Sequence, residues 1–258
     1  MWNCPLKLYI TTDMRADIQA LRLVLSNPDR FPWGSPISHL IPRPPSHIVT
    51  GDASVVAGGG YSFSLSFWWH VPWPQDVHQR TIKFRNDAGD GLLSINLLEF
   101  VVIILNYAAS LLVTRLEPSA DPFPRLLNRV DNRTALAWSQ RAAKSSRHAQ
   151  ALGRVLANLL LASPLALTSD YISTSDNALA DRISRSPLLF PCSPDFASLQ
   201  QDYPQLDSCR QYLPSPDLLS TVYSALSHRS APAPGAPVPL GRIIPASGTG
   251  SPTSTRTT

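Results

Sequence analysis

Apolar and polar positions alternate without a fault from Tyr61 to Phe67: Tyr61, Phe63, Leu65 and Phe67 share one face, Ser62, Ser64 and Ser66 the other. A period of two in an aromatic-rich run predicts a half-buried antiparallel strand. Gly58–Gly59–Gly60, just before it, predicts a tight turn with positive φ. The partner strand then runs from Ile48 to about Val55, with Asp52 near its middle. Asp suits a strand poorly, and beside a core it loses solvation that something must restore. A surface Asp at a strand end or bulge is the other reading.

The remaining pattern supplies further elements. Residues Thr12–Ser26 predict a short helix capped by Thr12 or Asp13, with Met14, Ile18, Leu21 and Leu25 as its apolar stripe. Prolines punctuate the stretch after it, which predicts an extended tether. FWWHVPWPQDV reads as a Trp- and Pro-rich turn and Arg80–Phe84 as a third strand. Trp68, Trp69 and Trp73 suit packing under a loop or a base-stacking platform. Ile95–Val113 is apolar enough to mimic a membrane span. A carboxylate inside a span costs about 2.5–3.5 kcal/mol, so the run predicts a buried core helix from about Ser94 to Arg115. Ser94 or Asn96 stands where a cap belongs, and Glu99 falls in the expected first turn, where the helix dipole favours it.

Leu126–Val130 predicts a short strand that delivers Asp131 at its end. Helices follow over Thr134–Ala143 and Ser145–Ala162, then a strand over Leu165–Ile172 and a helix over Asp176–Ser184 that contains Asp181. The order is β-β-β-α-β-α-α-β-α, an α/β pattern. After Pro187 the periodicity fades, apart from one short amphipathic helix over 214–227. Residues from Ser230 onward are mostly Pro, Ala, Gly, Ser and Thr, with almost no apolar periodicity, and predict disorder.

Composition refines this layout. The 258 residues include 25 prolines, roughly twice the usual share, and these cluster outside the periodic centre. The chain divides into a tether with one short helix (1–45), an α/β domain (46–187), and a Pro-rich, largely disordered tail (188–258). A net charge of +4 only hints at a polyanionic partner. Cys4, Cys192 and Cys209 show no metal or redox spacing and read as free thiols in a reducing compartment. With no secretory pattern at the N-terminus, the expected location is intracellular, cytoplasmic or nuclear, with no membrane attachment.

Four carboxylates stand at telling places: Asp52, Glu99, Asp131 and Asp181, each on a different element. Brought together unpaired they would raise one another's pKa, and a divalent cation relieves this. Mg²⁺ takes oxygen ligands and substrate phosphate, and two ions can clamp both oxygens of a phosphodiester undergoing displacement. Between Arg129 and Arg154 the basic side chains are opposed only by Asp131. Arg133, Arg141, Lys144 and Arg147 are the candidate nucleic-acid contacts, which would hold phosphates without reading sequence. A solvated helix face is the alternative.

The order of these segments resembles the ribonuclease H domain of retroelement reverse transcriptases, and is most similar to the DIRS-like, tyrosine-recombinase group. The matching pieces are VTGDAS around Asp52, INLLEF around Glu99, RVDNRTALAW around Asp131 and SDNALADRISR around Asp181. The resemblance implies a ribonuclease H-like mixed sheet, three antiparallel strands plus two parallel, flanked by helices with irregular termini. It implies that the four acidic residues are catalytic and bind two Mg²⁺ or Mn²⁺ ions. The implied activity is endonucleolytic hydrolysis of the RNA strand of an RNA–DNA hybrid, leaving 3′-hydroxyl and 5′-phosphate ends. Asn132 and Asn177 match places where the family carries polar side chains that support the ligands, with ordinary capping the other reading.

The chain departs from the family in several respects, including a glycine-rich stretch at Gly58–Gly60 that is less aromatic than usual. Tyr171 stands where many relatives have a His, Ser173–Thr174 replace a Pro–Gly pair, and no Tyr-x-Asp-Asp polymerase signature occurs. A polyprotein fragment lacking its upstream reverse transcriptase is therefore expected. The alternative is a catalytically inactive relic of the same fold that binds nucleic acid or protein.

Overall fold

The computed structural model describes residues 12–26, 43–86, 92–117, 121, 123–141, 146–161, 163–227 and 238–246. After an N-terminal helix α1 (Thr12–Ser26) the chain forms β1 (His47–Ala53), β2 (Ala57–Ser62) and β3 (Phe67–Pro72). Next come α2 (Gln75–Asn86), the long α3 (Ile95–Leu116), β4 (Arg125–Val130), α4 (Arg133–Gln140), α5 (Arg147–Leu161) and β5 (Ala166–Tyr171). The remaining elements are α6 (Ala178–Arg185), α7 (Pro194–Asp202), a 3₁₀ turn (Pro204–Ser208), β6 (Arg210–Pro214), α8 (Pro216–Leu226) and β7 (Gly241–Ile244). The strands make one mixed sheet in the order β5-β4-β1-β2-β3-β6-β7. Neighbours β1/β2, β2/β3 and β6/β7 are antiparallel, and β4/β5, β1/β4 and β3/β6 are parallel. The result is an α/β fold with a mixed sheet flanked by helices, compatible with a ribonuclease H-like description.

Strand alternation sends successive side chains to opposite faces, and this builds two cores. Val49, Trp69, Val71, Leu126 and Val130 pack against α3, which is joined by α5 and α8. On the other face Trp68 stacks on Phe196 at 4.4 Å and packs with Leu179, Ile183 and Leu206 from α6 and the segment after it. Helix α3 is long and apolar enough to cross a membrane, but 89% of its most apolar window is buried inside the fold. The three tryptophans are core residues rather than a stacking platform. Trp69 Nε1 donates to Asn106 Oδ1 at 2.9 Å and Trp73 Nε1 to the Ser54 carbonyl at 2.9 Å.

Several local expectations are corrected. Gly58–Gly60 do not form a turn; they lie inside β2, and β1 reverses into β2 at residues 54–56. Nor is Tyr61–Phe67 one strand: β2 ends at Ser62 and β3 begins at Phe67, with a second turn over 63–66 and Ser66 at φ 50°. The glycines serve close approach. A Cβ on Gly60 would collide with Asn106 of α3, and one on Gly59 with Ile183 of α6. A strand without side chains thus lets helices press on both its faces. Arg80–Phe84 is helical, because Val77 and Thr81 share a buried face one turn apart and the Thr81 hydroxyl bonds the Val77 carbonyl. The third strand is instead FWWHVP, one residue after the hairpin turn.

The tail expected after residue 187 is ordered through 227 and again over 238–246, supplying α7, β6, α8 and β7. The short helix expected over 214–227 is α8, capped by Ser215, whose Oγ accepts from Leu218 N–H. It packs on α5, and Tyr212 of β6 buries its ring in the main core. Lastly, Glu99 lies one residue beyond the first turn, and neither Ser94 nor Asn96 caps α3 through its side chain. Asn96 Oδ1 instead accepts from Asn132 Nδ2 at 2.8 Å.

Candidate metal centre

Three of the four acidic residues converge. Oxygens of Asp52, Glu99 and Asp131 all lie within 4.8 Å of one another. The topology explains how. Asp52 sits near the end of β1, and Asp131 directly follows β4, the parallel neighbour of β1. Glu99 comes from α3, which lies across β1, β2 and β4. Asp52 and Glu99 are 5% and 3% exposed, so their charges have little access to bulk water.

Each buried carboxylate has one oxygen held by the protein. Ala53 N–H donates to Glu99 Oε1 at 3.2 Å, and Ser184 Oγ donates to Asp52 Oδ2 at 2.5 Å. Glu99 Oε2 is buried with no hydrogen-bond partner among the described residues. Burial, then repulsion from Asp52 and Asp131, pushes the Glu99 carboxyl well above the usual range, against the pull of the Ala53 amide. The Asp52 carboxyl is pushed up to about 6, chiefly by burial and further by Asp131 and Asp181, while the Ser184 hydroxyl opposes the rise. A buried, unpartnered carboxylate oxygen facing two other acids is costly unless a cation compensates it. The all-oxygen donor set suits a hard divalent ion such as Mg²⁺ or Mn²⁺. The triad can hold a metal ion.

Asp181 falls outside this cluster. It lies in the first turn of α6, and its Oδ1 takes both Nε and an Nη of Arg185, each at 2.7 Å. Its charge still acts on Asp52 and Glu99. Asn132 caps α4, with its Oδ1 accepting from Thr134 and Ala135 N–H at 3.0 Å. This is the capping reading, although its Nδ2 also links to Asn96 of α3. Asn177 stands at the start of α6 without a side-chain cap bond. Its Nδ2 reaches the Gly51 carbonyl at 3.4 Å, next to Asp52, and its buried Oδ1 has no partner among the described residues.

The basic candidates are spread out. Arg133 opens α4 two residues after Asp131, exposed, with its guanidinium 4.9 Å over the Tyr171 ring. Arg141 closes α4, about 12 Å further along for a helix of that length, and exposed Arg147 opens α5. Arg154 is committed to Asp17 of α1 at 2.8 Å. Lys144 lies outside the described residues. Sequence reasoning passed over Ser184, which holds Asp52. The available signal was its spacing, three residues after Asp181 and so on the same helix face.

The chain matches no protein-family model, and searches of curated proteins and of solved structures gave no match.

Proposed function

We propose that this protein is a metal-dependent endonuclease of the ribonuclease H type, acting on the RNA strand of RNA–DNA hybrids and derived from a retroelement polyprotein. The observation that carries the reading is the convergence of Asp52, Glu99 and Asp131, with Glu99 Oε2 buried and unsatisfied among the described residues. The strand order β3-β2-β1-β4-β5 around that site, and the family-like segments that bring three of the four acids to it, support the same reading.

In this account Asp52, Glu99 and Asp131 hold Mg²⁺ or Mn²⁺. The bound ion would supply neutralisation of phosphate charge and activation of a water for attack. The rest belongs to the chain. Ala53 and Ser184 fix the two buried carboxylates, and α3 and α6 keep bulk water from them. Arg133 offers a cation to a phosphate beside Asp131, where it would position a duplex without reading its sequence. Recognition of a hybrid then rests on minor-groove shape and 2′-hydroxyls.

The test is cleavage of a labelled RNA–DNA hybrid by the whole chain with Mg²⁺ or Mn²⁺ and with chelator, beside Glu99→Gln and Asp131→Asn. Metal-dependent cutting that both substitutions abolish is the expected result. The Asp181–Arg185 ion pair, which leaves the fourth acid outside the cluster, favours a second reading: an inactive relic that binds nucleic acid through its basic residues. That reading gains if folded protein never cuts yet binds hybrid, with affinity that falls with salt and with Arg133, Arg141 and Arg147 changed to Ala.

A further inference from the structure

Among the described groups around the acidic cluster, Ser184 is a polar side chain at a place where burial favours an apolar one. It is fully buried on α6, where alanine would favour the helix and require no hydrogen bond. Its Oγ lies 3.0 Å from the Asp181 carbonyl, the back-bond that satisfies many helical serines. It also lies 2.5 Å from Asp52 Oδ2, in a bond from another element. One hydroxyl proton cannot serve both acceptors fully, and a charged acceptor makes the stronger bond.

The surroundings hold this hydroxyl in place. Ser54, two residues beyond Asp52, donates its Oγ to the Ser184 carbonyl at 2.6 Å. His70 of β3 bonds the Ser186 carbonyl through Nε2 at 2.7 Å. Gly59 leaves the room that lets Ile183, the preceding residue, lie flat on the sheet. The end of α6 is thus latched to β1 and β3 at the level of Asp52. Glu99 repeats the arrangement, with one oxygen tied to Ala53 N–H and the other without a partner among the described residues.

We propose that Ser184 is a positioning residue for the metal centre: it holds Asp52 by one carboxylate oxygen and leaves the other to share a cation with Glu99 and Asp131. The inference rests on the metal-binding reading above and adds to it the group that orients a ligand from behind. Such supporting bonds typically change metal affinity by about 10- to 100-fold.

The test is Mn²⁺ binding to the whole chain, followed by calorimetry and by loss of the free-ion electron paramagnetic resonance signal, with thermal melts in parallel. The control is Ser110→Ala on α3, which removes an equally buried hydroxyl whose bond is to the Asn106 carbonyl. Ser184→Ala is expected to weaken Mn²⁺ by about tenfold or more, and Ser110→Ala to leave the affinity unchanged even if it lowers the melting temperature. Affinity of Ser184→Ala within twofold of wild type overturns the proposal, as does an equal loss in Ser110→Ala. If Ser184→Ala does not fold, Ser54→Ala decides. A loss of about threefold supports the latch, and unchanged affinity overturns it. No Mn²⁺ bound by wild type sinks the metal reading itself and this proposal with it, whereas binding that ignores Ser184 sinks this proposal alone.

Discussion

Ala53 N–H donates to Glu99 Oε1 at 3.2 Å, tying the long helix to β1 at the residue after Asp52. This bond separates the structural and ligating roles of Glu99. Glu99→Gln keeps an oxygen for the Ala53 amide and replaces Oε2, which has no partner among the described residues, with an uncharged group. The variant is expected to fold, to melt no lower than wild type in chelator, and to bind Mn²⁺ at least tenfold more weakly. Melting curves with and without Mn²⁺ check both halves.

The raised carboxyl of Asp52 sets a pH dependence. A group whose pKa is higher in the folded than in the unfolded state contributes its stability fully at low pH. That contribution is lost as pH rises from the unfolded value, near 4, through the folded value of about 6. Glu99 shifts in the same direction. Without metal, wild type is therefore expected to lose stability across this window, by on the order of 3 kcal/mol for Asp52 alone. Asp52→Asn should flatten the curve and outlast wild type in chelator at pH 7.5. Added Mn²⁺ should rescue wild type and leave the variant unmoved. A metal-free wild type with the same denaturant midpoint as Asp52→Asn at pH 7.5 would count against the buried-charge account.

Arg185 holds Asp181 in a largely exposed i,i+4 pair, worth only about 0.3–0.5 kcal/mol. Arg185→Gln should leave the melting temperature within about a degree of wild type. It also frees the Asp181 carboxylate beside the acidic cluster. The expected outcome is tighter binding of a second divalent ion by several-fold, read as Mn²⁺ stoichiometry by resonance titration. Unchanged stoichiometry and affinity at all Mn²⁺ concentrations would show that Asp181 takes no part.

Gly59→Ala tests whether the bare strand is what admits α6. The added methyl meets Ile183 side chain and backbone, and overpacking of this kind costs about 1–3 kcal/mol. Because Ile183 precedes Ser184, the displacement should also reach Asp52. A lowered melting temperature together with weakened Mn²⁺ binding is expected. A stable variant with full affinity would mean that α6 can shift without disturbing the ligand.

Much of the site was legible because its acids mark the boundaries of strongly periodic elements. Asp52 interrupts a strand, Asp131 ends one, and Glu99 breaks an otherwise apolar helix. The errors have physical causes. Three consecutive glycines read locally as a turn, yet in β2 they answer to helices distant in sequence. Arg80–Phe84 alternates only from Thr81 to Phe84, too short a window to reveal that Val77 and Thr81 already set a helical face. Asp181 matched its segment, but its bond to Arg185 depends on rotamers that no sequence pattern fixes. Ser184 is unremarkable in a helix until β1 passes beneath it. The last strands were missed because β6 and β7 are short and separated by proline-rich chain. They order by adding to a sheet that already exists, not by their own periodicity.

Those late strands also decide where the molecule can be cut. Arg210 N–H bonds the Ser66 carbonyl at 2.9 Å, and β6 pairs with β3 at Phe67 and Trp68. A fragment stopping at residue 187 would give β3 an unguarded edge and uncover apolar surface around Trp68 and α3, features that invite chains to pair with one another. The acidic cluster would still be encoded intact, but in a piece inclined to aggregate. The contacts that cover β3 and α3 therefore extend well past the last acid, to the strand at Gly241–Ile244.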